Sequence, residues 1–252
     1  MKFETGMRRA LALILATSLV SFANAGAADK KDKPKPTVNQ TIDSGSFGVF
    51  IRGQRVATET FSVEQQDGNS IVKSQVKGTV GGDASQKSDL EMSSSGELLR
   101  YEWSQSSGGS LSVFPDNDFL KERISSSSSA KSAEQAFLLP ASSPILDDNF
   151  FIHREVLAWK YLAVAPCKDE SGRRRCDPAD FGTLVPQART SMSVRMELIG
   201  KEKVTIRGAE REMLRLNLHG EQFDWALWVD ENDHFKLMKV AILADNTEVV
   251  RD

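Results

Sequence analysis

Phe223-Asp224-Trp225-Ala226-Leu227-Trp228-Val229-Asp230 decides how the chain is read. Its large apolar residues Phe223, Trp225, Leu227 and Val229 fall on every second position, the period of a β-strand, and share one face. Asp224, Ala226, Trp228 and Asp230 point the other way. The polar turn Asp230-Glu231-Asn232-Asp233 follows, then an apolar run from Phe235 to Leu243, and a third run after Asp245-Asn246. Three such runs form an antiparallel meander with one apolar face to cover.

Working back, the same pattern recurs. Ser191–Ile199, Val204–Arg207 and Met213–His219 read as strands preceding the meander. Near the other end, the fold begins at about Gly45. Ser46–Ile51, Val56–Gln65, Ile71–Lys77, Ser85–Met92, Leu98–Ser104 and a short strand ending at Pro115 follow, with Asp67-Gly68-Asn69 a hairpin signal. Alternation puts Leu99, Tyr101 and Trp103 on one face. The expected fold class is mainly β (α+β), a curved antiparallel sheet or half-barrel of about 10 strands.

The stretch 148–162 breaks the period. Phe150, Phe151, Ile152, Val156, Leu157, Trp159 and Tyr161 cover almost every face of a helix, interrupted only by His153, Arg154 and Glu155. A helix apolar nearly all round is buried on several sides. Asp147 or Asp148 can cap it. Its expected place is the concave face of the sheet, as a plug. Trp103, Phe151, Trp159, Phe223, Trp225 and Leu227 are the residues expected to line a cavity between helix and sheet, or to fill it as core.

The 252 residues open on an export signature. Lys2, Arg8 and Arg9 precede the short apolar run Ala10–Val20, and Ala23-Asn24-Ala25 offers a cleavage site, so residues 1–25 read as a signal peptide. Residues 26–41, with Lys30, Lys31, Lys33, Lys35, Pro34 and Pro36, read as a disordered basic leader. Residues 42–252 read as one domain. Residues 1–25 carry three basic residues and one acid, so their removal takes the net charge from −3 to −5. Mixed, mildly acidic charge excludes a nucleic-acid partner, which needs a basic stripe. The expected location is periplasmic or secreted, with no transmembrane span after cleavage.

Cys167 and Cys176 are the only cysteines. In an exported chain an even pair reads as a disulfide. It would staple a loop over 163–190 that carries Arg173, Arg174 and Arg175 at its tip. No His lies near the pair, which argues against zinc, and the spacing is not that of a redox C-x-x-C.

No catalytic, cofactor or metal motif stands out. His153, His219 and His234 lie on separate elements; Asp147 and Asp148 near His153 are explained by helix capping. Glu59, Glu102, Glu197 and Glu221 lie on strands, where glutamates face water unless a cavity pairs them. The serine run 125–129 lacks a nucleophile elbow, and Gly78-x-x-Gly81-Gly82 lacks the lysine and helix of a phosphate loop.

The opening Phe47-Gly48-Val49…Gly53-Gln54-Arg55-Val56-Ala57-Thr58-Glu59, the segment Leu146-Asp147-Asp148-Asn149-Phe150 and Leu227-Trp228-Val229-Asp230 resemble exported bacterial proteins of uncharacterised function. Strands, buried helix and final meander, over residues 45 to 251, are similar in layout to the lipoprotein-carrier (LolA/LolB-like) half-barrels. That resemblance implies a concave face holding an acyl chain. The disulfide loop and serine-rich insert depart from the carriers. The expected function is a binding or carrier protein for a hydrophobic small molecule or lipid. The alternative is a non-catalytic cell-envelope structural or assembly factor with an envelope protein as partner; a hydrolase comes last.

Overall fold

The computed structural model describes residues 39–79, 85–125, 132–170 and 173–252. The signal peptide and all of the expected leader except its last three residues lie outside them. Asn39, Gln40 and Thr41 are strand, so the ordered sheet starts before the boundary expected at 42.

Alternation from both ends of the chain converges on one antiparallel sheet of 14 strands. Its first half runs β1 (Asn39–Ile51), β2 (Gln54–Gln66), β3 (Asn69–Gly78), β4 (Gln86–Met92), β5 (Leu98–Gln105), β6 (Ser110–Asp116), β7 (Phe119–Ser125) and β8 (Ala133–Phe137). Helix α1 (Ile152–Val164) follows, then the small hairpin β9 (Cys167–Glu170) and β10 (Arg173–Cys176). The second half is β11 (Ala179–Val185), β12 (Thr190–Ile206), β13 (Ala209–His219), β14 (Asp224–Asp230), β15 (Lys236–Ile242) and β16 (Thr247–Arg251).

Almost every neighbour in the sheet is a neighbour in sequence. The exception is β16, which returns to pair with β1 and joins the halves, with Phe47 opposite Arg251 and Val49 opposite Val249. The end strands β8 and β11 do not pair, so the sheet curves without closing. On the β11 side the segment before α1 lies along the edge. There the Leu146 amide donates to the Leu184 carbonyl (2.9 Å) and the Leu184 amide to that of Pro144 (3.0 Å).

The fold class is the expected one; the strand count exceeds about 10, and three details differ. First, Val204–Arg207 is no separate strand: Val204, Thr205 and Ile206 are the end of β12, and Arg207 begins the turn. An extra residue, Ile199, bulges at Leu198/Gly200 and switches the facing of the chain beyond. Second, Leu99 does not share the buried face of Tyr101. A bulge at the start of β5 turns Leu98 inward, 3% exposed, and leaves Leu99 40% exposed. Third, residues 163–190 are not a loop. They hold the β9–β10 hairpin and the edge strand β11, and Arg174 and Arg175 lie on β10, not at the tip.

Hairpin turns follow the sequence signals. Asp67-Gly68 takes φ of 52° and 87°, positive at both central positions, as a two-residue turn with the twist of a β-ribbon requires.

The expected helix is present, four residues later at its start than read from sequence. Ile152, Leu157, Ala158 and Tyr161 are fully buried against the inner face of the sheet. Each large side chain so buried stabilises by roughly 1.5–3 kcal/mol. The Trp159 indole donates to the Phe235 carbonyl (3.1 Å), and the Leu198 amide donates to the Tyr161 hydroxyl (3.0 Å). The outer face of β12–β15 has its own small apolar cluster, built from Val204, Ile206, Met213, Ala226, Trp228 and Ala241.

Candidate functional site

The polar residues that interrupt α1 are its most buried ones: His153, Arg154 and Glu155 have no exposed surface. A charge taken from water must find partners in the interior. Here the sheet supplies them from strands far apart in sequence.

At the start of α1 the partner is Glu59 on β2. Alternation along Gln54–Gln66 places Glu59 on the face of Phe61 and Val63, so its carboxylate points inward. It accepts the amides of Phe151 (2.6 Å) and Ile152 (3.2 Å) and the Ser74 hydroxyl (2.7 Å). Those amides are donors that a helix leaves unpaired at its first turn. Neither Asp147 nor Asp148 caps the helix as expected: the residue before it, Phe151, has no side-chain cap bond, and the cap comes from another element. Asp147 instead accepts from the Tyr101 hydroxyl (2.6 Å), the Gln187 amide (2.6 Å) and the Asn149 backbone (3.2 Å).

Arg154 bends back toward the helix start. Its Nη1 donates to the carbonyls of Phe150 (2.7 Å) and Asp147. Its guanidinium lies over Trp225 (4.7 Å) and Phe151 (5.3 Å), a cation–π arrangement. Phe223 packs against Trp225 at 4.9 Å. Of the six residues expected to line a cavity, the structure therefore gathers Phe151, Trp225 and Phe223 around Arg154. Leu227 is fully buried in the same core. Trp159 sits further along α1, and Trp103 is on β5, its indole donating to Gln86 (3.1 Å).

One turn on, Glu155 meets the opposite wall. Its Oε2 accepts the Leu237 amide (2.7 Å) and Arg251 Nη2 (2.6 Å). Arg251 also reaches Asp43 with both Nη atoms (3.2 and 2.7 Å) and donates from Nε to the Leu237 carbonyl (2.8 Å). It rests on Phe47 and Phe61, two rings stacked at 4.9 Å.

Burial sets the proton affinities. It pushes Glu59 up to about 7, against the Ser74 and amide bonds that favour the anion. It also pushes Glu122 up to about 7, with only Arg189 opposing. His153 is driven down to about 4 by burial, with Asp147 opposing and Arg154 adding to the fall. Glu155 is raised by burial against Arg251; Asp43 is lowered because its Arg251 bonds outweigh burial.

Several buried polar atoms lack a hydrogen-bond partner: both ring nitrogens of His153, both oxygens of Glu122, Nε and Nη2 of Arg154, and Oε1 of Glu155. His219 and His234 lie apart from His153, each beside one aspartate, Asp224 (3.2 Å) and Asp233 (3.3 Å). Among the described residues, no group of three or more His, Cys, Asp or Glu is placed to hold a metal ion. Glu102 pairs with Arg100 on the surface, and Glu197 and Glu221 stand apart from the buried network. Cys167 and Cys176 are joined in a disulfide across the β9–β10 hairpin.

Ile152, Leu157, Ala158 and Tyr161 of α1 are fully buried against the sheet. Two clefts lie away from α1: about 780 Å³ across β2–β7 and about 850 Å³ between the disulfide hairpin and the β12 bulge. A pocket of about 20 Å³ lies beside Val156 and Lys160.

One solved structure has a similar course. It is a β-barrel-like protein of a domain of unknown function, DUF1849, from Brucella abortus, 5% identical, with a TM-score of 0.48 over 83% of this chain and 94% of that chain. No protein-family model matches this sequence, and no curated protein does. The lipoprotein-carrier likeness is not among these findings.

Sequence reading missed the buried ion network. For Glu59 and Arg251 a signal existed, since alternation puts each on the inward face, with Phe61 and with Val249. The same alternation puts Glu122 on the face of Leu120 and Ile124; nothing comparable marked Asp43.

Proposed function

We propose that this chain is an exported, non-catalytic binding protein whose interior accepts an apolar, lipid-like ligand when α1 moves off the sheet. One observation carries the reading: α1 seats His153, Arg154 and Glu155 in the core with polar atoms of all three unpaired. A helix that only filled space would do so more stably with apolar residues, because each unpaired buried group costs about 1–3 kcal/mol. Such a helix is held below its full packing stability, which lowers the free energy needed to lift it off the sheet. Its departure would uncover Phe151, Trp225, Phe223 and Leu227, an apolar lining with Arg154 nearby for a polar head. The disulfide suits an oxidising compartment outside the cytoplasm. No helix among the described residues is long and apolar enough to cross a membrane.

The burial of Ile152, Leu157, Ala158 and Tyr161 against the sheet favours a second reading, an envelope assembly factor that works through its surface with α1 permanently seated. Extraction of the purified mature protein with organic solvent, followed by mass spectrometry, separates the two. Stoichiometric lipid, or uptake of an apolar fluorescent probe, supports the carrier. A clean extract with no probe uptake leaves the surface factor.

A further inference from the structure

The larger-scale feature that the buried network does not use is the cleft across the outer face of β2–β7. Its lining follows one cross-strand row. Phe61, Ser74, Ser88, Trp103 and Leu111 are successive partners across β2 to β6. Their side chains belong to the inner face, so the floor of the cleft is backbone. The residues on either side point outward and make two banks. One bank is Thr60, Gln75, Lys87, Ser104, Ser110 and Ser125; the other is Ser62, Lys73, Asp89, Glu102, Ser112 and Arg123. The register pairs members of each bank directly, as in Lys73 with Asp89 and Asp89 with Glu102.

The trough exists because the banks are short where they matter. Six of the twelve side chains are serine or threonine, and the banks span five inter-strand steps of about 4.8 Å, roughly 24 Å in all. The charges nearly balance: Lys73, Lys87 and Arg123 against Asp89 and Glu102. Arg123 is engaged by Glu134 (2.7 Å) and Glu102 by Arg100 (2.6 Å). Lys73, Lys87 and Asp89 remain; Oδ1 of Asp89 is enclosed without a hydrogen-bond donor, which leaves its other carboxylate oxygen to meet a ligand. No outward side chain in the trough is aromatic or aliphatic, so an acyl chain or an apolar peptide anchor finds nothing to bury. The complementary occupant is extended, carries little net charge, and offers many hydroxyl donors and acceptors.

We infer that this trough is a binding site for a linear, uncharged polysaccharide strand lying across β2–β7, with Asp89 accepting a sugar hydroxyl. The site is independent of any ligand beneath α1. It would dock the protein on a glycan polymer while the interior does its own work.

The test uses the intact protein, isotopically labelled, titrated with cellohexaose, maltohexaose and chitohexaose while backbone amide shifts are followed. At least one hexasaccharide is expected to shift amides of β2–β7, leaving those of β13–β15 unmoved. Ser104→Trp fills the trough from an exposed position and is expected to weaken that binding at least tenfold. Asp89→Asn, which keeps the shape but removes the carboxylate, is expected to weaken it about tenfold, and it reports even where Ser104→Trp folds poorly. Unperturbed β2–β7 amides with all three sugars overturn the inference. So does binding that Asp89→Asn and a folded Ser104→Trp both leave unchanged.

Discussion

Glu59 on β2 caps helix α1 at Phe151, 92 positions later in the chain, with a carboxylate-to-amide bond of 2.6 Å. The helix is thus registered on the sheet by a long-range charge and not by a residue of its own first turn. Capping by a local Ser, Thr, Asp or Asn would fix the helix end but not its position against the strands. Glu59 does both, because the same carboxylate also holds Ser74 on β3.

Replacing Glu59 tests that role. Glu59→Ala strips acceptors from two buried amides and the Ser74 hydroxyl, each left unpaired at about 1–3 kcal/mol, and is expected to cost about 3–5 kcal/mol in urea unfolding. Glu59→Gln keeps an acceptor and sheds the burial cost of the anion, so it should cost far less near neutral pH. The sign of its pH effect follows from the raised affinity. A carboxyl at about 7 in the fold and 4.5 when unfolded contributes stability below pH 4.5 that is lost as the pH climbs through 7. Glu59→Gln should therefore gain on the wild type between pH 5 and 8; a gap that does not change with pH would contradict the burial of the charge.

His153 works in the opposite direction. Its affinity falls from 6.5 to about 4, so its contribution is present above pH 6.5 and drains away as the pH drops through 4. That difference amounts to roughly 3 kcal/mol at 1.4 kcal/mol per pH unit. His153→Phe keeps a ring against Tyr101 and Phe150 and has no nitrogens to leave unpaired. It is expected to match the wild type at pH 7.5 and to exceed it by pH 4.5. Thermal melts at both pH values decide it, and an unchanged difference would show that the imidazole charges without cost.

The sheet and the helix were legible because both are written in local periodicity. Phe223 to Val229 alternate, and Phe150 to Leu162 do not. What stayed hidden depends on register across the sheet. The bulges at Leu99 and Ile199 flip the facing of a strand without any local mark, and β11 lay within what read as a disulfide loop. The interior charges were hidden for a different reason. Alternation puts Glu59 on the inward face with Phe61, but its partners, the amides of α1, are brought to it only by the complete fold.

Arg251 joins both halves of the sheet to the helix, by Asp43 on β1, Glu155 on α1 and the Leu237 carbonyl on β15. Its removal leaves buried Glu155 without its cation and Asp43 with only Lys236 Nζ, at 3.5 Å. Arg251→Met is expected to destabilise by about 3–5 kcal/mol. Adding Glu155→Gln and Asp43→Asn should recover a large part of that loss, since the uncompensated charges go with it. Arg251→Lys should fail to restore the wild type, because a single ammonium cannot hold Asp43 by two nitrogens and also reach Glu155 and Leu237. Denaturant midpoints of the four proteins form the test, and an Arg251→Met chain as stable as the parent would remove the cluster from any account of the fold.

Cys167 and Cys176 face each other in register across β9 and β10, and only Pro166 separates Cys167 from Ala165, whose amide bonds back to Tyr161 to end α1. The bridge spans nine positions, so its loss is expected to cost roughly 2–3 kcal/mol by the loop-entropy account. For a domain of this size that corresponds to a fall of roughly 5–10 °C in Tm. The effect should also have a direction in space. Arg174 on β10 lies over Phe235, whose carbonyl holds Trp159, so loosening the hairpin frees the C-terminal half of α1 before its Glu59-capped start. Hydrogen exchange on the Cys167→Ser, Cys176→Ser double variant checks this. Amides near Trp159 to Val164 should exchange faster while those at the helix start stay protected. Uniform acceleration along α1 would mean that the helix leaves the sheet as one rigid piece, and that the hairpin anchors all of it.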